Sequence, residues 1–454
     1  MSVQRQEPAE GPQRPPSTAE EARRNPGVLR WFYLHAATNT LFWTCTLGGS
    51  LFALYMRNLG LEPGRIGILM SLFPFMQVLS LGTGALVERI GHRKAFLWFY
   101  GSRKLTVMAL ATTPWLLGWL GTGWTFAFVV ACLILFGVQR SVGETGYYPW
   151  LKEFIPDEIR GRTQGTAMIF GALSAGAGTL LAGWLVANRN RLELGRLGAF
   201  QCSYFLFALL GLVGVLGARR LPGGRPPMQR PKRPGFARRL ANGLRDRRLV
   251  TFLIAAGILE GSVMLFAGLM PLYMRDVVGL SEAHVVRLTF ARMVGALAAG
   301  LLAGRVADRC GSRPVLFALL ISLALMPILW MFLPDLGTAR VVGAYAAYLL
   351  FGIALSGAVL AALQLMYNTV VSEENKNEYL ALRYAVTGLV GGTIPLLAGQ
   401  SVELFSGLDG RWMGLPLSAY LPLFALSALA WIVSAMLFGR IRDTIPRTNS
   451  PKSH

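Results

Sequence analysis

The chain has 454 residues, 53% hydrophobic and only 15% charged, where a soluble domain usually carries about 25% charged residues. Lys and Arg number 44 against 23 Asp and Glu, a net charge of +21, and the mean hydropathy is +0.47. These values exclude a disordered chain, a collagen-like repeat and, with four Cys, a secreted disulfide scaffold.

Residues 1–29 are polar and Pro-rich and read as a disordered tail. No apolar run precedes Trp31, so no signal peptide is expected, and the first span serves as an uncleaved insertion signal. A helix needs about 20 mostly apolar residues to cross the hydrocarbon core. Twelve such runs follow, at roughly 30–56, 66–87, 95–119, 124–150, 163–187 and 199–218, then 249–274, 285–306, 314–334, 341–371, 379–405 and 419–439. The expected fold is therefore an all-α polytopic membrane protein with 12 transmembrane helices. Six spans fall in 30–218 and six in 249–439, with a basic linker at 219–248 and a tail at 440–454.

Basic residues set orientation in the membrane. With both termini cytoplasmic, the inner segments hold 29 Lys and Arg and the outer loops 9, the remaining 6 lying in or beside spans. One outer loop runs against this trend with Arg189, Arg191 and Arg196. The linker has eleven basic residues, five Pro and one acid, Asp246. It reads as a topogenic segment lying near anionic lipid headgroups. Nucleic acid is the sharper reading of so basic a stretch, but no readout motif or stacking aromatics accompany it.

An internal repeat relates the halves. Gly84, Glu88, Arg89, Gly91 and Arg93 spell G-x-x-x-[DE]-R-x-G-x-R, and Gly304, Asp308, Arg309, Gly311 and Arg313 repeat it 220 residues later. Leu-Tyr-Met-Arg57 matches Leu-Tyr-Met-Arg275, Glu62 matches Glu282, Tyr147 matches Tyr367, and Leu-Leu-Ala-Gly183 matches Leu-Leu-Ala-Gly399. Two six-span halves related in parallel are a transporter architecture. On these residues the chain resembles the major facilitator superfamily over about 30–439, departing from its loop motif at Glu88 and His92. Phe154–Arg162 resembles that family's loop between spans four and five, whereas the Gly-Pro step of its antiporter motif is missing. The resemblance implies two pseudo-symmetric six-helix bundles around a central cavity that rock to give alternating access. It also implies that spans one, four, seven and ten line the cavity.

The loop motif has its own physical logic. Gly84 and Gly304 permit close helix approach, Gly91 and Gly311 a tight turn, and the arginines anchor the face. Glu88 and Asp308 can pair with those arginines or with a helix N-terminus, a cluster suited to gating as well as to topology.

An ionisable group at bilayer depth costs roughly 2.5–3.5 kcal/mol, so it needs a partner or a wet cavity. Glu144 and Glu260 are the acids well inside spans and the candidates for proton coupling. Arg140 lies four residues before Glu144 on one helix face, and Arg292 lies at the depth of Glu260. A Glu260–Arg292 pair is expected, as part of the mechanism or as a structural tie. Asn39, Gln364, Tyr367 and Asn368 are cavity-lining candidates, while Arg103 and Lys104 are expected to snorkel to the inner interface. Trp31, Phe32 and Tyr33, with Tyr147, Tyr148 and Trp150, read as interfacial aromatic belts. Gly391, Gly392, Pro395 and Gly399 read either as a bend in the eleventh span or as close packing through small residues.

No phosphate-binding loop, zinc spacing or nucleophile elbow occurs, so no cofactor, metal site or enzymatic activity is expected. The expectation is a monomeric secondary active transporter in the cell membrane, moving a small organic solute and coupled to protons. The alternative is a non-transporting scaffold or sensor on the same fold, using the basic linker as its interaction surface.

Overall fold

The structure is a computed structural model that describes residues 27–155, 157–224, 246–366, 376–408, 410–412 and 415–441. Twelve helical spans are traced among the described residues. The first runs Gly27–Cys45 and, after a break, Ser50–Asn58; the second runs Pro63–Gln77 and Ser80–Ile90. The third begins at His92, passes through a π turn at Phe96–Tyr100 and continues beyond Gly101–Leu110 to Gly121. There a φ of +73° folds the chain back into the fourth, which ends at Phe154. Asp157–Ala187 and Gly195–Ala218 complete the first half.

The second half repeats the order. Its spans are Arg247–Ala267 with Met270–Asp276, Glu282–Cys310, Ser312–Met331, Arg340–Leu365, Lys376–Leu404 and Leu421–Gly439. A two-stranded hairpin, Gly410–Trp412 with Leu415–Leu417, sits before the last span. Eight of these helices are long and apolar enough to cross a bilayer by themselves, and the second span, bent by 58°, makes nine. The first, third and eighth follow the same path but are broken or carry charge.

The repeated sequence marks a repeated structure. The first span breaks at Thr46–Gly49 and the seventh at Gly268–Leu269, and a Leu-Tyr-Met-Arg segment follows each break. The tyrosine plays one part in both halves. Tyr55 donates to the Leu110 carbonyl of the third span and packs on Phe200 and Tyr204 of the sixth. Tyr273 donates to the Trp330 carbonyl of the ninth (2.9 Å) and packs on Tyr420 and Phe424 beside and within the twelfth. Each break frees backbone groups that hydrocarbon cannot satisfy. The Thr46 carbonyl is taken up by the buried Tyr204 hydroxyl at 2.9 Å.

Within the first bundle, the first span packs on the fifth and sixth, the second on the fourth, and the third on the sixth. The second bundle repeats these pairings: seventh on eleventh and twelfth, eighth on tenth, ninth on twelfth. The bundles meet mainly through two pairs, second with eleventh and fifth with eighth, and the end of the first span also touches the seventh and eighth. Apolar surface gives little drive for helix association in lipid, so close approach of small residues matters more. At Gly67 a Cβ would collide with the Pro395 carbonyl, and at Gly399 it would lie 2.6 Å from the Pro63 carbonyl. The small residues of the eleventh span therefore act in packing.

Two expectations need correction. The aromatic clusters at Phe32, Tyr147 and Trp150 are not an interfacial belt. Phe32 and Trp150 are buried, Tyr147 stacks on Phe96, and the Trp150 Nε1 donates to the Pro222 carbonyl at 2.7 Å. The exposed tryptophans among the described residues are Trp98, Trp115, Trp119 and Trp124 on the third and fourth spans and Trp184 on the fifth. Nor, among the described residues, does Gly84 admit a close neighbour, since none of them lies within 4 Å of a Cβ placed there.

Overpacking a close helix contact costs about 1–3 kcal/mol. Gly67→Ala is thus expected to lower the thermal unfolding midpoint. Gly82→Ala, where a Cβ meets open space, should leave it unchanged or raise it. Differential scanning fluorimetry of the purified variants checks both.

Candidate functional site: charges between the bundles

The two ends of the bundles differ. The ends of the described chain, Gly27 and Ile441, and the segments flanking the linker share one face, here the terminal face; the loops after odd-numbered spans share the opposite face. Every hydrogen bond and ion pair between described residues of the two bundles lies in the opposite half. Ser50 and Thr289 hydroxyls meet at 3.1 Å where the first span passes the eighth. Gly64 N–H donates to Glu403 Oε1 at 2.9 Å. Glu282 joins most of the remaining groups: one oxygen accepts from Asn58 at 2.7 Å, the other pairs with Arg189 at 2.7 Å, and Arg275 stands 3.7 Å away. Arg196 in turn donates to Asn58 Oδ1 at 2.6 Å. The opposite face is closed by this latch.

Sequence reasoning missed the latch. It matched Glu282 with Glu62 in the repeat and counted Arg189 and Arg196 as an exception to the charge rule. Arg189 serves a carboxylate of the other bundle, and Arg196 holds the Asn58 amide that donates to that same carboxylate. The signal available was that exception itself, a basic loop on the side expected to be poor in basic residues.

Deeper toward the terminal face lies a cluster in the first bundle. Asn39 Oδ1 accepts from both Arg103 and Lys104, the latter at 3.0 Å. The two cations are buried, 2% and 0% exposed. Arg103 lies 3.4 Å above the Tyr100 ring, and Lys104 lies 3.4 Å above Phe42. Snorkelling to the interface is therefore overturned, because an amide oxygen and aromatic faces hold both charges inside the bundle. Arg140 Nε pairs with Glu144 Oε1 at 2.7 Å, the Tyr100 hydroxyl reaches the same oxygen at 3.4 Å, and Arg140 also lies over Trp43 at 4.7 Å. His35 is buried against Phe96, Tyr100 and Tyr147.

The second bundle is different. Glu260 and Arg292 form no ion pair, which corrects the pairing expected from their depth. Equal depth does not fix which way each side chain turns. Glu260 is half-buried beside Gly391 of the eleventh span. Among the described residues no cation lies within 4 Å of its carboxylate. Gln364 is half-buried on the tenth span; Tyr367 and Asn368 lie outside the described residues.

At the terminal face, the two motif turns match. Gly91 has φ +89° and ψ 143°, Gly311 φ +91° and ψ 150°. That left-handed backbone is free of strain only for glycine. The Glu88 carboxylate has no ion pair among the described residues, and the side chains of Asp308 and Arg309 lie outside them. His92, where the family motif has Arg, pairs with Glu153 through Nδ1 at 2.9 Å. Glu153 also accepts from the Gly224 N–H, and Arg93 donates to the Arg219 carbonyl.

A sequence profile of the Major Facilitator Superfamily matches residues 32–395. The chain belongs to that superfamily. An uncharacterised major-facilitator-type transporter of Bacillus subtilis (strain 168), YdeG, is 29% identical over 145 residues. The match spans 32% of each of the two chains. Solved structures share the fold at low identity. A variant of the nucleoside transporter NupG superposes with a TM-score of 0.66 at 14% identity, covering 90% of this chain and 98% of its own. A bacterial homologue of the iron transporter ferroportin, in an inward-facing state, gives 0.65 at 14%, covering 92% and 98%. This major facilitator is thus a multi-pass membrane protein with twelve spans in two pseudo-symmetric bundles.

Removing the charge at the centre of the latch tests its role. Glu282→Gln leaves Arg189 and Arg275 without that carboxylate, a change of roughly 1–2 kcal/mol, or about 5- to 30-fold in a two-state population. The expected result is faster labelling of a cysteine placed at Thr289 by a membrane-impermeant thiol reagent. Unchanged labelling overturns the latch.

Proposed function

We propose that this major facilitator is a secondary active transporter of a small organic solute, driven by protons through Glu260. The observation that carries the coupling is the environment of that carboxylate. It is half-buried at bilayer depth, it sits where the seventh span meets the eleventh, and no cation holds it among the described residues. An ionised group at this depth costs roughly 2.5–3.5 kcal/mol. It sheds that cost by taking a proton or by meeting a cation, and rocking of the bundles changes its access to both. Glu144 differs, because Arg140 and Tyr100 already hold it. We assign Glu144 to the internal structure of the first bundle and the coupling step to Glu260.

The excess of basic residues on the terminal face supports a cytoplasmic location for both termini. With the opposite face latched, the conformation described is then inward-open. Glu88, which has no ion pair among the described residues, agrees with this, since a gating cluster at the terminal face separates when that face opens.

Reconstitution into liposomes with an internal pH dye tests the reading. Solutes selected by thermal shift are supplied under an imposed pH gradient. Wild type is expected to accumulate solute with proton movement, and Glu260→Gln to lose accumulation while retaining solute exchange. Glu144→Gln is expected to lower thermal stability and keep its response to the gradient. Full accumulation by Glu260→Gln overturns the coupling assignment, and a wild type that moves no solute favours a sensor.

A further inference from the structure

A cavity of about 220 Å³ lies in the latched half, between the breaks of the first and seventh spans and spans eight, nine and ten. Both bundles contribute to its wall, and the Ser50–Thr289 hydrogen bond crosses between them there. Arg292 is the charged group among its lining residues. Its guanidinium has no carboxylate within 4 Å among the described residues. Trp330 is fully buried behind the wall, and Tyr348 stacks on it at 4.9 Å and 14°.

Three other cations deep in the described spans have partners: Arg103 and Lys104 share Asn39, and Arg140 holds Glu144. Arg292 is held in place by its backbone, since a Cβ at Gly352 of the tenth span would collide with the Arg292 carbonyl. Its five N–H donors form a rigid fork that matches a carboxylate in two parallel hydrogen bonds. The walls around it, including Met70, Val263, Met264, Phe351 and Leu355, are apolar.

The geometry points to a binding site for a small organic carboxylate. Arg292 grips the carboxylate, and the apolar wall receives the body of the molecule. The assignment rests on the transporter reading above and adds the substrate class. A ligand seated here touches both bundles, so it is sensed by the contact that closes the opposite face. Its anionic group supplies the countercharge that the fold leaves out.

The test is arginine modification of the purified full chain by phenylglyoxal, read peptide by peptide by mass spectrometry. Benzoate and phenylacetate are the probes, with benzamide and phenylacetamide as neutral controls. The carboxylates are expected to protect Arg292 while the amides do not, and exposed Arg411 is expected to label equally throughout. Calorimetry should show benzoate binding on the order of 10- to 100-fold weaker in Arg292→Gln. Arg292→Lys, which keeps a point charge, is expected to recover part of the loss. Equal protection by acids and amides overturns the site, as does Arg292 labelling that neither acid slows, and neither result depends on a variant folding. The labelling needs no proton gradient, so its failure is separate from retained accumulation by Glu260→Gln.

Discussion

In a bilayer, helices have no water to drive them together, and this fold therefore depends on how closely two backbones approach. The contact of Gly67 with Pro395 and of Gly399 with Pro63 sets that approach where the second span meets the eleventh. Once those backbones touch, the polar groups at the same end come within hydrogen-bonding range: Gly64 with Glu403, Ser50 with Thr289, Asn58 and Arg189 with Glu282. A larger side chain at any of these glycines separates the helices, and the latch then loses its geometry. Packing comes first here, and electrostatics completes it.

The same order explains the interior charges. Arg103 and Lys104 are tolerated because aromatic faces and Asn39 surround them, an arrangement that needs the first, third and fourth spans already in place. Glu144 is tolerated because its partner lies one turn away on its own helix. Glu260 and Arg292 have neither form of support. The first bundle is thus internally neutralised around its acid, while the second carries an acid and a base that wait for something else. Function concentrates where the fold has left charge unmatched.

The spans were legible in the sequence because run length alone decides whether a helix can cross hydrocarbon. The repeat was legible because the motif glycines adopt a conformation few other residues tolerate, so Gly91 and Gly311 keep the same spacing to Arg93 and Arg313. The Arg140–Glu144 pair was legible because four residues are one helical turn. The rest depends on facing direction and on partners far apart in the chain. Depth placed Glu260 beside Arg292, but rotation about the helix axis did not bring them together. Asn39 with Arg103 and Glu282 with Arg189 are joined by tertiary packing that no local pattern encodes. Phe32, Tyr147 and Trp150 had the composition of an interfacial belt and turned inward, where His35 and the linker backbone engage them.

Glu153 holds one more consequence. It binds the His92 side chain with one oxygen and the Gly224 amide with the other, while Arg93 grips the carbonyl of Arg219. The stretch that leaves the sixth helix is therefore stitched to the first bundle and travels with it as part of the same body. The connection between the two halves is thus anchored to the first bundle as far as Gly224, beyond the end of the sixth helix, and His92 in place of the family's arginine is one of the side chains that anchor it.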